Sequence, residues 1–161
     1  MNEKPPSPRA RVSSFITTHV LWGVSGLFLY ALLGVGLEFL LAYKVPAFVD
    51  VASSERRLLF RLAHAHGTLL SLLQLGFAFI LTQKKTSTIG RRLRLASGAL
   101  SAGTLLIPAG FFLGGLDARS GDPGLLVALV PGGAFLLLVG LGLTFWDLWT
   151  GRAADDEHDA L

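Results

Sequence analysis

Charged residues fall in short bursts along this chain. Between them lie four long uncharged runs, Val12 to Leu37, Leu62 to Gln83, Leu95 to Leu116 and Pro123 to Trp146, of 26, 22, 22 and 24 residues. About 20 apolar residues in a helix cross a hydrocarbon core about 30 Å thick. Unsatisfied backbone is too costly in lipid for such runs to be anything but helices. They are too long for core strands and lack the alternation of an outer-membrane barrel. The pattern therefore predicts an all-α integral membrane protein, an antiparallel up-down bundle of four transmembrane helices. These span roughly 15–42, 56–82, 91–115 and 123–149, a single membrane domain over 15–149. The first run exceeds the ~7–15-residue apolar core of a signal peptide, and no small-residue cleavage site follows it, so it reads as a retained helix.

The connections are short and polar. Residues 1–14 form a Pro/Ser-rich leader read as disordered, and 150–161 an acidic tail. Ser53-Ser54-Glu55 is placed to cap the second helix. "QKKTSTIGRRLR" reads as a basic hairpin with a glycine-marked turn, and "GGLDARSGDPG" as a tight turn before the fourth helix. Loops this short force antiparallel neighbours.

Lysine and arginine then orient the bundle. Nine lie on the side of the termini (Lys4, Arg9, Arg11, Lys84, Lys85, Arg91, Arg92, Arg94, Arg152) and five on the other (Lys44, Arg56, Arg57, Arg61, Arg119). The positive-inside rule puts both termini in the cytoplasm, with Trp22, Trp146 and Trp149 read as a belt at that interface. The expected location is a bacterial inner membrane. Composition agrees: 16% of residues are charged against about 25% in soluble domains. The net charge of +3 is accounted for by topology and contact with anionic lipid, so nucleic acid is not called for as a partner. Zero cysteines exclude disulfides, thiolate metal sites and thiol catalysis.

Polar residues inside the runs carry whatever chemistry there is. On the second helix, Arg57, Arg61, His64, Thr68 and Ser71 share a stripe at spacings of four, three, four and three, while His66 lies about 200° from His64. Two histidines facing opposite ways do not chelate one metal, which on a helix wants a spacing of three or four. The third helix carries Arg94, Ser97, Ser101, Thr104 and Pro108 on one stripe. On the first, Glu38 shares a face with the small residues Ala31 and Gly34. Pro108 and Pro131 are placed to kink helices three and four. The expected intramembrane cluster is Glu38, Arg61, His64, Thr68, Ser71, Ser101 and Thr104, gathered toward the non-cytoplasmic side. Ionisable groups inside a membrane are usually functional. The ordinary readings are an Arg61–Glu38 ion pair, a snorkelling Arg61 and an interhelical His64. His19 reads as an interface residue near the cytoplasmic end, and Arg56, Arg57 and Arg61 as a set facing outer headgroups. The 19 glycines, in spacings such as Gly98-x-x-x-Ala102 and Ala99-x-x-x-Gly103, predict close helix packing within the bundle or between chains.

The stretch "RLAHAHG", with Arg61, His64 and His66, resembles the Arg-x-x-His-x-Asn of the second helix of haem–copper oxidase catalytic subunits of the nitric-oxide-reductase and cbb3 types. It also resembles small bacterial four-helix membrane proteins of unknown function that have a His-Ala-His second helix. The first resemblance implies that His64 is a haem b ligand, with Arg61 near a propionate. This chain departs from that family: His66 replaces the asparagine, and helices three and four hold no histidine. One chain cannot build the family's site, so oxygen or nitric oxide reduction is excluded, and a second haem ligand would come from another chain.

No HExxH, P-loop, GxSxG or close carboxylate pair is present, so no catalytic residues and no metal site are expected. The function expected first is a non-enzymatic accessory or interaction subunit of a membrane complex. It would meet lipid on its outer faces, and a second copy or a partner subunit through its glycine-rich faces, and it needs no cofactor. The alternative is a b-type haem electron-transfer protein using His64. A third is a small transporter or proton path using Glu38 and His64, although the chain has no internal repeat of the transporter kind.

Overall fold

The computed structural model describes residues 8–50, 54–84, 89–118 and 122–159. The first seven residues of the leader, Ser53, residues 85–88 of the basic hairpin, and Arg119 lie outside them. Among the described residues there are five α-helices: α1 (Pro8–Ala42), α2 (Pro46–Val49), α3 (Ser54–Gln83), α4 (Arg91–Leu116) and α5 (Leu129–Asp159). A 3₁₀ turn, Leu125–Ala128, leads into α5. Four spans are long and apolar enough to cross a membrane: Ala10–Ala42, Ser54–Gln83, Arg91–Leu116 and Leu125–Gly151. This is the pattern of a multi-pass membrane protein.

The long helices reach further than the apolar runs foretell. α1 begins at Pro8, inside the expected leader, where proline in a first turn costs no hydrogen bond. α5 continues to Asp159, through most of the expected tail. α1 ends by backbone geometry: Lys44 takes a left-handed conformation (φ 49°), and the Val45 N–H reaches back to the Leu40 carbonyl at 3.1 Å. That closure satisfies a carbonyl that helix termination would otherwise orphan. α2, which no sequence signal announces, follows at once with Pro46 in its first turn and Phe48 buried. Arg57 holds this connection, donating to the Phe48 carbonyl at 2.7 Å and the Asp50 carbonyl at 2.5 Å. Arg56 donates to the Ala47 and Ala118 carbonyls at 3.4 and 3.3 Å. These two arginines bond loop backbone and so hold the connection between α1 and α3 in place.

Each long helix packs antiparallel on its neighbour in sequence, α1 on α3, α3 on α4 and α4 on α5, whereas among the described residues α1 and α5 make no extensive contact. The row stays open along that seam. Among the buried positions of α3, one row runs at alternating spacings of four and three: Ala63, Gly67, Leu70, Gln74, Phe77, Leu81, with Leu59, Phe60, Ser71 and Ala78 buried beside it. A row on α4 does the same: Leu93, Ala96, Leu100, Gly103, Ile107, Gly110, Gly114. This is the seam of left-handed antiparallel packing. Glycine sets the approach distance. A Cβ on Gly103 would come within 2.9 Å of the Gly133 carbonyl, and one on Gly140 within 2.9 Å of the Leu100 backbone nitrogen. Of the residues in the sequence motif, Gly103 therefore serves internal packing, while Gly98 faces open space.

The two prolines differ, and only Pro131 sits otherwise than expected. Pro131 lies in the first turn of α5, where no donor is missed, so it does not interrupt the helix. Pro108 is buried within an unbroken α4, where its missing N–H leaves the Thr104 carbonyl without its helical partner.

Candidate functional site

Two polar groupings are built into the row. The first lies toward the end that carries the termini, and the second toward the opposite end.

The first grouping centres on His19. Its ring is 1% exposed, between Phe15 (centroids 5.3 Å apart) and Phe77 (4.7 Å), both edge-on. His19 Nδ1 lies 2.6 Å from Gln74 Oε1, and Nε2 lies 2.7 Å from Ser97 Oγ. Gln74 Nε2 donates to Thr104 Oγ1 at 3.0 Å. With an amide oxygen facing Nδ1, the proton sits on Nδ1, and Nε2 accepts from the Ser97 hydroxyl. The chain therefore runs Ser97, His19, Gln74, Thr104 and ties α1, α3 and α4 together. Gln74 is 1% exposed and Thr104 5%. A polar group this deep costs stability unless bonded, and both ring nitrogens here are bonded. His19 is thus a buried cross-link, not the interface residue expected. It lies about 14 Å along α1 from Ala10.

A hydroxyl ladder continues from there without joining the second grouping. Ser71 is buried and donates to its own helix at the Gly67 carbonyl, 2.7 Å, while its hydroxyl occupies the space beside Gly26. Tyr30 lies ring-on over Gly67. Thr68 bonds the His64 carbonyl at 2.9 Å. Threonine and serine bonded back to their own turn offer no onward donor. Ser101 is half-buried and makes no contact with Glu38 or His64. Of the seven residues expected as one cluster, the structure brings Glu38, Arg61 and His64 together and places Thr104 in the His19 chain. Ser71 and Thr68 are closed onto backbone, and Ser101 is left apart.

The second grouping lines a cleft of about 240 Å³ between α1 and α3, with Ala31, Gly34, Glu38 and Leu41 on one wall and Arg61 and His64 on the other. His64 donates from Nδ1 to the Tyr30 carbonyl at 2.7 Å, and its ring edge lies against Gly34, where a Cβ would come within 2.5 Å of Cε1. That bond fixes the tautomer and leaves Nε2 carrying a lone pair. The separation around the helix sends His66 the other way, to lie tilted against Phe111 of α4 with ring centroids 5.0 Å apart and Nδ1 on the Leu62 carbonyl. Glu38 and Arg61 share the cleft but are not ion-paired, which corrects the expected pair. An ion pair does form between Lys84 and Asp147, joining the end of α3 to α5.

A further correction concerns the aromatic belt. Gly23 opposes Leu75, Gln74 bonds Thr104, and Gly103 meets Leu137. Trp22 is therefore level with the His19 chain, on the order of 10 Å deeper than Trp146 and Trp149.

Signals for the missed residues exist in the sequence. Phe15, His19, Gly23, Gly26, Tyr30, Gly34 and Leu37 recur at spacings of four, four, three, four, four and three. This puts His19 on the face where small residues admit α3. Gln74 continues the Gly67–Leu70 seam of α3.

Among the described residues no three His, Asp or Glu side chains gather as a metal site. No protein family, curated protein or solved structure matches this chain.

Proposed function

We propose that this protein is a non-enzymatic accessory or interaction subunit of a bacterial cytoplasmic-membrane complex, with both termini in the cytoplasm. The observation that carries this reading is the outer face of α5. Gly142 has nothing within 4 Å of the position a Cβ would occupy, and it is bordered by Phe135, Leu138, Trp146 and Trp149, which are 59 to 68% exposed. These residues lie four or seven positions from Gly142 and so on the same face. A glycine notch among large apolar side chains lets a second helix approach closely, and in lipid packing of this kind drives association. The interior supports the same reading, because the buried side chains His19, Ser71, Gln74 and Thr104 are each hydrogen-bonded within the chain.

Photo-cross-linking residues placed at Leu138 and Trp146 in intact membranes test this. A discrete protein adduct of constant mass from both positions, absent from Leu29 on α1, is the expected result. Lipid adducts alone from α5 would contradict it.

A second reading rests on His64 Nε2. A ring whose Nδ1–H is held by a backbone carbonyl is oriented as metal-bound histidines are. Haem does not fit within one chain: His19 has both nitrogens bonded, His66 faces α4, and the cleft is smaller than the ~300–1,000 Å³ that encloses a ligand. The fit requires a ligand from a second chain. An absorption spectrum of the purified protein, oxidised and dithionite-reduced, decides it. A Soret band lost in His64→Ala supports haem, and a blank spectrum after haem addition removes it.

A further inference from the structure

We propose that the cleft between α1 and α3 binds a phospholipid headgroup carrying a phosphate beside a primary ammonium. The inference rests on the membrane reading of the four helices and not on any partner of α5. Its basis is a charge pattern that this chain leaves incomplete. Glu38 and Arg61 line the same cleft, yet neither is hydrogen-bonded or ion-paired to another described residue. Their depth explains why charge is tolerated here. Glu38 lies about 6 Å from the end of α1 and Arg61 about 10 Å from the start of α3, where headgroups meet hydrocarbon. At that depth an unpaired carboxylate or guanidinium is costly, and each is stabilised by a counter-charge.

The pair of opposite charges selects the class of ligand. A purely anionic headgroup would satisfy Arg61 and be repelled by Glu38, and a pure cation would meet the reverse. A zwitterion with both ends satisfies both. Arg61 supplies a planar fork matched to phosphate oxygens, and the Glu38 carboxylate accepts from an ammonium N–H. His64 Nε2, held as an acceptor by the bond from Nδ1 to Tyr30, offers the ammonium a second site. Gly34 and Ala31 keep the wall shallow enough for a headgroup to reach the ring.

A second observation points to a lipid and not a soluble zwitterion. Val35 and Leu37 line the cleft and also an apolar groove of about 610 Å³, whose other walls include Gly36, Leu40, Phe60 and Phe112. Its lining is almost wholly apolar, suited to an acyl chain, and a Cβ on Gly36 would meet nothing within 4 Å. Headgroup site and chain groove flank α1 and share Val35 and Leu37.

The test is native mass spectrometry of the detergent-purified protein mixed with phosphatidylethanolamine, phosphatidylcholine or phosphatidylglycerol of identical chains. Thermal stability is read in parallel. We expect wild type to retain the ethanolamine lipid several-fold more than the other two. Glu38→Gln should erase the preference over the choline lipid, whose quaternary nitrogen has no N–H to give. Arg61→Gln should lower retention of all three. Both side chains are exposed, so lipid-free stability should stay unchanged in both variants. Glycerophosphoethanolamine, the headgroup without chains, should fail to compete. Equal retention of the three lipids by wild type would overturn the proposal without reference to any variant. So would a preference that survives in Glu38→Gln, or effective competition by the chain-free headgroup. Lipid retention is read on single chains, so it stands or falls independently of cross-linking at α5.

Discussion

Replacing Gln74 with leucine removes the centre of the buried polar chain while nearly keeping its volume. The substitution breaks the 2.6 Å bond to His19 and the 3.0 Å bond to Thr104. Thr104 recovers by turning its hydroxyl to its own helix, as threonines in helices do. His19 cannot recover, because Phe15 and Phe77 fix the ring and only Ser97 remains bonded to it. An unsatisfied buried donor costs about 1–3 kcal/mol, and the near-isosteric leucine adds little strain. Interhelical hydrogen bonds within membranes average about 0.6 kcal/mol and reach about 1.7. We therefore expect Gln74→Leu to destabilise by roughly 1–3 kcal/mol. His19→Leu in the same background should cost less than it does alone, by about 0.6–1.7 kcal/mol, because the orphaned donor leaves with it. Reversible unfolding of the protein in mixed micelles, followed by helical circular dichroism, measures all four corners of the cycle. A neutral Gln74→Leu, or losses that add within about 0.5 kcal/mol, would refute a coupled chain.

Three further expectations follow from close contacts and turns. Gly140→Leu should destabilise by about 1–3 kcal/mol, since its Cβ meets the Leu100 backbone; Gly142→Leu, two residues on and facing open space, should change stability by less than about 0.5 kcal/mol. Equal effects of the two would sink the assignment of faces on α5. Lys44→Gly should stabilise by about 1 kcal/mol, because glycine adopts the φ of 49° without the penalty lysine carries there; a lower melting temperature would contradict the closure described for α1. Removing either partner of Lys84–Asp147 should cost about 1–3 kcal/mol, since both side chains are only about one-fifth exposed and the remaining charge is left unpaired; a loss below about 0.5 kcal/mol would show a pair that contributes nothing beyond a surface contact.

The four apolar helices are legible in the sequence because their lengths exceed what any soluble element of this composition requires. Their antiparallel order follows from short connections. The extension of α1 to Pro8 and of α5 to Asp159 is not legible, since polar residues such as Arg11 and Ser13 continue a helix beyond its apolar run. The open seam between α1 and α5 is not legible either, because sequence periodicity marks a packed face without naming its partner. For the polar residues, proximity in sequence misleads. A stripe drawn through Arg61, His64, Thr68 and Ser71 is a real face of α3, yet threonine and serine bond their own backbone and drop out of any site. Distance from the start of the chain misplaces His19 at the interface. Its spacing from Gly23, Gly26 and Gly34 reports burial better than depth does. Gln74 escapes notice because a single amide among leucines carries no charge to flag it.

The central claim is that the interior is closed and that the chain acts through the outer face of α5. The mass of the assembly extracted from native membranes in polymer-bounded lipid discs tests it most directly, with wild type and Gly142→Leu compared at equal expression. We expect wild type in one discrete assembly larger than a single 161-residue chain. Gly142→Leu should be released as a single chain of undiminished thermal stability. A wild-type protein recovered as a single chain, with the same mass as the variant, would contradict the account.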